Sequence, residues 1–230
     1  MAEAYDGFLN DINAFHVTKE HAFQALDSAS GGPVAEGKVG GDTGMMYHGF
    51  KGGIGSASRI AEVGGASYTV GTLVQADYGH CRLLRDVVPL PGRSDDGEGS
   101  IIVIVATNVP LIPIQCKRLV QRATIGLARA GGVGHIGSGD TFLAFSTGNH
   151  PTQDFSEDDA SEKGQPIDVQ MIPNHRIDPL FEATTKACRR VNSQRPDRRR
   201  NYRGIPGSHS PRHPIRHAST GDRKVSALAL

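Results

Sequence analysis

Tryptophan is absent from this chain, and aromatic residues make up only 6% of it. Cysteine is nearly absent too, present as Cys81, Cys116 and Cys188. An odd number of cysteines without metal-ligand spacing argues against a disulfide scaffold or a zinc site. They read as reduced thiols in a cytoplasmic protein. No run of 18 apolar residues occurs, so no membrane span is expected. The opening Met1-Ala2-Glu3-Ala4-Tyr5-Asp6 lacks the charged and apolar regions of a signal peptide. Net charge is nearly absent at +1, but the balance is uneven. Residues 1–187 hold 14 Lys+Arg against 22 Asp+Glu, whereas residues 188–230 hold 11 against 2.

What is abundant is glycine, 29 of 230 residues, clustered at turns between apolar strands with no collagen-like or linker period. The length suits one domain with a tail. Thr18 can cap a short helix from Lys19 to Ala29, with Glu20 in the positive first turn and Ala22, Leu26 and Ala29 on one face. Residues 34–60 read as glycine-rich turns and short strands, and 67–76 and 101–107 as longer strands. Pro113 opens a helix ending near Gly131, with Cys116, Leu119, Val120, Ala123 and Leu127 at helical spacing. Lys117, Arg118, Arg122 and Arg129 on it read as a solvated face. Residues 141–147 form another strand, and 151–166 an acidic surface loop. Asp178-Pro179 starts a last helix, predicted to end near Ala187. Strands and helices that do not alternate strictly argue for mixed α/β layers rather than a doubly wound sheet.

The chemically suggestive stretch is Gly99-Ser100-Ile101-Ile102-Val103-Ile104-Val105-Ala106-Thr107. A charged lead-in, Arg93 to Gly99, runs straight into a β-branched strand with Ser100 at the junction. A serine there, after a glycine, suits a nucleophile unmasked by cleavage of its own peptide bond. A loop serine opening a core strand is the plainer reading of these residues alone.

Three further segments change that balance. Gly41-Asp42-Thr43-Gly44-Met45-Met46-Tyr47-His48-Gly49-Phe50-Lys51-Gly52-Gly53-Ile54-Gly55-Ser56-Ala57-Ser58-Arg59 resembles the glycine-rich signature of the L-aminopeptidase/D-esterase (DmpA-type) family, which includes the β-peptidyl aminopeptidases. Tyr68 to Gly79 resembles the family's next strand, Gly99-Ser100 its self-cleavage site, and Gly134 to Thr147 its second active-site segment. The resemblance covers residues 1 to 187. It implies an αββα sandwich of the DmpA/ornithine acetyltransferase type, incomplete at the N-terminus because the chain begins at the element that Glu3-Ala4-Tyr5 resembles. It also implies cleavage between Gly99 and Ser100 into an α part, 1–99, and a β part, 100–187.

Under this resemblance Ser100 is the nucleophile. Its freed α-amino group, with a reference pKa of roughly 7.7–8.0, is a base near neutrality. Ser138 and Asp140 become the hydroxyl and carboxylate beside it, and Glu3 and Tyr5 line the substrate pocket. Asp77 stands where the family has an asparagine that serves the oxyanion. An ionised carboxylate there cannot donate and repels negative charge, and loss of one such donor costs about 10²–10³ in rate. His48, His80 and His135 each stand alone by spacing and read as structural.

The implied reaction is removal of an N-terminal residue from small peptides, amides or esters through an acyl-Ser100 intermediate. No metal or organic cofactor is implied, and no membrane. The implied assembly is a homo-oligomer of processed α/β pairs. The alternatives are a catalytically impaired remnant or interaction protein of the same family, or an acyltransferase of the ornithine acetyltransferase type. The latter uses threonine, against which Ser100 speaks. Residues 188–230 are expected to be a basic, disordered tail. Suitable codons read one nucleotide out of step would restore a family-like ending, so the tail is read as out of frame rather than as a nucleic-acid arm.

Overall fold

A computed structural model describes residues 4–85, 99–149 and 168–194, and the backbone of 202–203 and 209–210. Glu3 and the acidic stretch 151–166 lie outside the described residues.

The centre of the molecule is one mixed four-stranded sheet. Short β1 (Met46–Tyr47) and β2 (Phe50–Lys51) form a separate antiparallel pair before it. β3 (Gly55–Val63) and β4 (Ala66–Asp77) form a hairpin closed by Gly64-Gly65, both at positive φ, the geometry a two-residue loop needs to match strand twist. β4 pairs antiparallel with β5 (Ser100–Thr107), and β5 pairs parallel with β6 (Thr141–Ser146). A parallel neighbour requires a crossover, supplied by α2 (Pro113–Ala130) with proline in its first turn and Gly131 in the left-handed conformation at its end. α1 (Lys19–Asp27) precedes the sheet and α3 (Asp178–Gln194) follows it. Tyr202–Arg203 (β7) and His209–Ser210 (β8) pair with each other.

Alternation along the strands sorts the sheet into two faces. Val70, Thr72, Val74 and Ala76 of β4 and Ile101, Val103 and Val105 of β5 are buried. The apolar ones share a core with Leu119, Ala123 and Leu127 of α2 and Leu180, Ala183 and Val191 of α3. On the opposite face Ile102 and Ile104 are half-buried, and Leu143 and Phe145 are exposed.

Three expectations shift. α1 ends at Asp27 rather than Ala29 and buries none of its residues, so its apolar stripe meets no core among the described residues. α3 runs past the boundary expected at Ala187 to Gln194, so residues 188–194 belong to the folded unit and not to a disordered tail. Leu180, Thr184, Ala187, Cys188 and Val191 keep helical spacing and are all buried, while Arg189 and Arg190 point outward. The change of charge at residue 188 hid that continuity. On α2, Arg118 and Arg122 are more than a solvated face. The Arg122 guanidinium stacks over Phe181 of α3 at 4.0 Å, and Arg118 donates to Asn174 Oδ1.

Candidate active site

Ser100 opens β5, and its cross-strand partner is Asp77, the last residue of β4. Both are buried. The pairing brings the ends of two strands so close that the residue before Ser100 can only be glycine. A Cβ built on Gly99 would lie 1.7 Å from the Asp77 carbonyl oxygen.

The turn before β6 closes over the same point. Gly139 N–H donates to Ser100 Oγ at 2.9 Å, and the Ser138 hydroxyl lies 3.1 Å from the Gly99 carbonyl oxygen and 2.5 Å from Asp140 Oδ1. The parallel pairing of β5 with β6, starting at Ile102 opposite Thr141, fixes this approach. Ser138 has one proton, so it serves the carboxylate or the carbonyl at any instant.

Asp77 is held from behind. Its Oδ1 accepts the Met46 amide at 2.7 Å, and its Oδ2 lies 3.3 Å from the position a Gly99 Cβ would take. Burial pushes its carboxyl up to about 7. The Met46 hydrogen bond opposes the rise, Asp42 and Asp6 add to it, and Lys51 opposes it. Lys51 is itself buried, with Nζ donating to the carbonyls of Asp42, Met45 and Gly52.

The next residues tie the site to α3. Tyr78 Oη donates to Asn192 Oδ1 and Tyr47 Oη to the Asn192 carbonyl, each at 3.1 Å, and Asn192 Nδ2 returns to the Cys188 carbonyl. His48 Nδ1 meets the His80 carbonyl oxygen at 2.7 Å, and its ring packs edge-on against Tyr47 and Tyr78. That is a packing role. His80 and His135, unrelated by spacing, stack edge to face at 4.6 Å. His135 borders a small cleft with Gly99, Ser138, Asp140, Tyr78 and Leu127.

The structure therefore brings together Gly99, Ser100, Ser138, Asp140 and Asp77. Tyr5 is exposed. The sequence reading missed the Gly139 amide, which carries no side-chain signature, and the Met46 amide that holds Asp77. Among the described residues no cluster of three or more His, Cys, Asp or Glu could hold a metal. The three cysteines are buried and form no disulfide, and no helix among the described residues is long and apolar enough to cross a membrane.

The site is thus a buried serine at a strand mouth, with a hydroxyl on the preceding carbonyl and a backbone amide on its own oxygen. The profile of Peptidase family S58 matches residues 1–191, and the chain belongs to that family. It is 45% identical over 210 residues to the β-peptidyl aminopeptidase BapA of Sphingosinicella microcystinivorans, covering 81% of this chain and 51% of that protein. To BapA of Sphingosinicella xenopeptidilytica it is 42% identical over 168 residues, covering 64% and 42%. Among solved structures, the L-aminopeptidase D-Ala-esterase/amidase of Ochrobactrum anthropi, described as a prototype serine aminopeptidase and a variant of the Ntn hydrolase fold, matches with TM-score 0.73 at 40% identity. That match covers 88% of this chain and 55% of the other. The PH0078 protein of Pyrococcus horikoshii OT3 gives TM-score 0.78 at 39% identity, covering 91% and 57%. The chain thus spans about half the length of its relatives. The expected DmpA-type mixed α/β fold holds, and the described residues supply one four-stranded sheet with α2 and α3 on one face, besides two short strand pairs.

Proposed function

We propose that this chain carries the nucleophile of a serine-type aminopeptidase, exposed by cleavage between Gly99 and Ser100. The observation that carries this reading is the pair of contacts across the junction, Gly139 N–H to Ser100 Oγ and Ser138 Oγ to the Gly99 carbonyl.

In self-cleavage Ser100 Oγ attacks the Gly99 carbonyl carbon. A C–O bond forms, the Gly99–Ser100 C–N bond breaks, and the Oγ proton ends on the Ser100 nitrogen. Water then adds to the ester, Gly99 leaves as a carboxylic acid, and Oγ recovers a proton. The freed Ser100 amine, near neutral pKa, is the base for the next acyl transfer. A peptide, amide or ester replaces the precursor at the same carbonyl position. Its amine or alcohol leaves, and water hydrolyses the acyl-Ser100 ester. Ser138, steadied by Asp140, donates to the oxyanion, and Asp77 occupies the position beside it. Glu3 and Tyr5 belong to the pocket of the assembled protein.

This reading makes the substrates small peptides, amides or esters with a free N-terminus, and the working form a homo-oligomer of processed pairs in the cytoplasm. It requires no metal or organic cofactor. On this reading the basic residues beyond Gln194 are an out-of-frame ending and do not serve as a nucleic-acid arm. Intact-mass measurement of the purified chain tests the reading. Two pieces, 1–99 and 100–230, are expected from the wild type and one from Ser100→Ala. A single chain from folded wild type overturns it.

A further inference from the structure

Asp77 sits at the junction where negative charge must develop, and the sequence alone makes it an obstacle. Its surroundings say otherwise. The side chain is buried at the end of β4, directly opposite Ser100. One oxygen, Oδ1, is occupied by the Met46 amide, which leaves Oδ2 for a proton, and Oδ2 is the oxygen that faces Gly99.

We propose that the protonated carboxyl of Asp77 is a hydrogen-bond donor to the oxyanion formed at the Gly99–Ser100 junction, and that its ionisation shuts self-cleavage off. The proposal rests on Ser100 being the nucleophile. The carboxyl keeps its proton through the step. It only lends a hydrogen bond, so the balance of bonds described for self-cleavage is unchanged.

The charged groups around Asp77 support a neutral form. Asp6 from the N-terminal turn and Asp42 from the turn before β1 both disfavour a further negative charge, and Lys51 of β2 is the opposing cation. Asp140 approaches the same junction through Ser138. Burial outweighs Lys51, and the carboxyl titrates near neutrality rather than near the ordinary value for aspartate. A buried carboxylic acid held neutral so that it can donate is a known solution in enzymes that stabilise oxyanions. The opposite role, Asp77 as the base that deprotonates Ser100, requires the ionised form. Its charge would then stand beside the growing oxyanion.

Self-cleavage isolates this effect better than turnover does. Before cleavage the Ser100 nitrogen is an amide and does not titrate. After cleavage its amine is a second titratable group at the junction, so the pH dependence of turnover no longer reports Asp77 alone.

The test uses the full chain, refolded from denaturant at pH values from 5.5 to 8.5. Appearance of the 1–99 and 100–230 pieces is followed by intact mass, and folding by circular dichroism. Wild type should cleave at least ~10-fold faster at pH 6 than at pH 8.5, because each unit above the midpoint removes about nine-tenths of the neutral form. Asp77→Asn, which always donates and never ionises, should cleave at pH 8.5 as fast as at pH 6. In uncleavable Ser100→Ala, infrared difference against Ser100→Ala/Asp77→Asn should show a protonated carboxyl band at pH 5.5 that is gone at pH 8.5. Loss of cleavage in Asp77→Asn alone, or wild-type cleavage that rises with pH, overturns the donor role and leaves Ser100 standing. No cleavage in either protein at any pH, with both folded, overturns the Ser100 reading and the donor role together.

Discussion

Gly99 and Asp77 approach each other more closely than any other residue type at position 99 would allow, since a methyl group on Gly99 would stand 1.7 Å from the Asp77 carbonyl oxygen. The glycine is there because the backbone of β4 occupies the space a side chain would need. Gly99→Ala should therefore push the junction away from Ser138 and Gly139. A displacement of about 1 Å at a reacting centre costs on the order of 10² in rate. Self-cleavage, read by intact mass over time, should fall by at least that factor while the circular dichroism spectrum is kept.

Ser138→Ala removes the hydroxyl that reaches the Gly99 carbonyl. Loss of one oxyanion donor costs about 10²–10³ in rate. Cleavage should slow by that much, and Asp140→Asn, which leaves the hydroxyl in place, should slow it less. Equal rates for Ser138→Ala and wild type would show that the hydroxyl serves only Asp140.

Asp77 also sets a pH dependence of stability. Its folded pKa is about 7, raised by burial above the ordinary aspartate value near 3.9. Between those values the folded state holds a proton the unfolded state has released. Stability from this group is therefore present at pH 4 and is lost as pH rises toward 7. Asp77→Asn has no such loss. Its melting temperature should match wild type near pH 4 and exceed it at pH 8, by on the order of a few kcal/mol in stability. A constant difference across pH would place the Asp77 carboxyl at its ordinary value.

The end of α3 gives a prediction about length. Truncation after Ala187 removes buried Cys188, Val191 and Asn192, and with them the acceptors of Tyr47 and Tyr78. Lost apolar burial and the loss of these two hydrogen bonds should cost on the order of several kcal/mol. Truncation after Gln194 should leave the melting temperature nearly unchanged. Thermal unfolding of the two shortened chains beside the full one separates these outcomes.

Much of the site was legible from residue order. Ser100 stands at a strand mouth, Ser138 and Asp140 before the next strand and Asp77 at the end of the previous one, and all four positions are visible in the sequence. They were legible because each sits beside a glycine turn or at the boundary of an apolar run. The Gly139 and Met46 amides were not, because every residue carries an amide and only its direction in space makes it a donor to a particular atom. The extension of α3 to Gln194 was also missed, because local charge spoke louder than an apolar spacing that persisted beneath it.

The sequence by itself determined the order of strands and helices, the crossover helix after Pro113 and the residue types at the reacting junction. Those depend on periodicity, turn chemistry and side-chain identity, which are local. The tertiary structure alone decided that the β4 backbone leaves room only for glycine at 99. It also decided that Asn192 braces Tyr47 and Tyr78, and that Asp77 is buried enough to hold a proton near neutrality. Those depend on which groups exclude water from one another. Exclusion of water is a property of packed surfaces from distant parts of the chain, so no single stretch of sequence contains it.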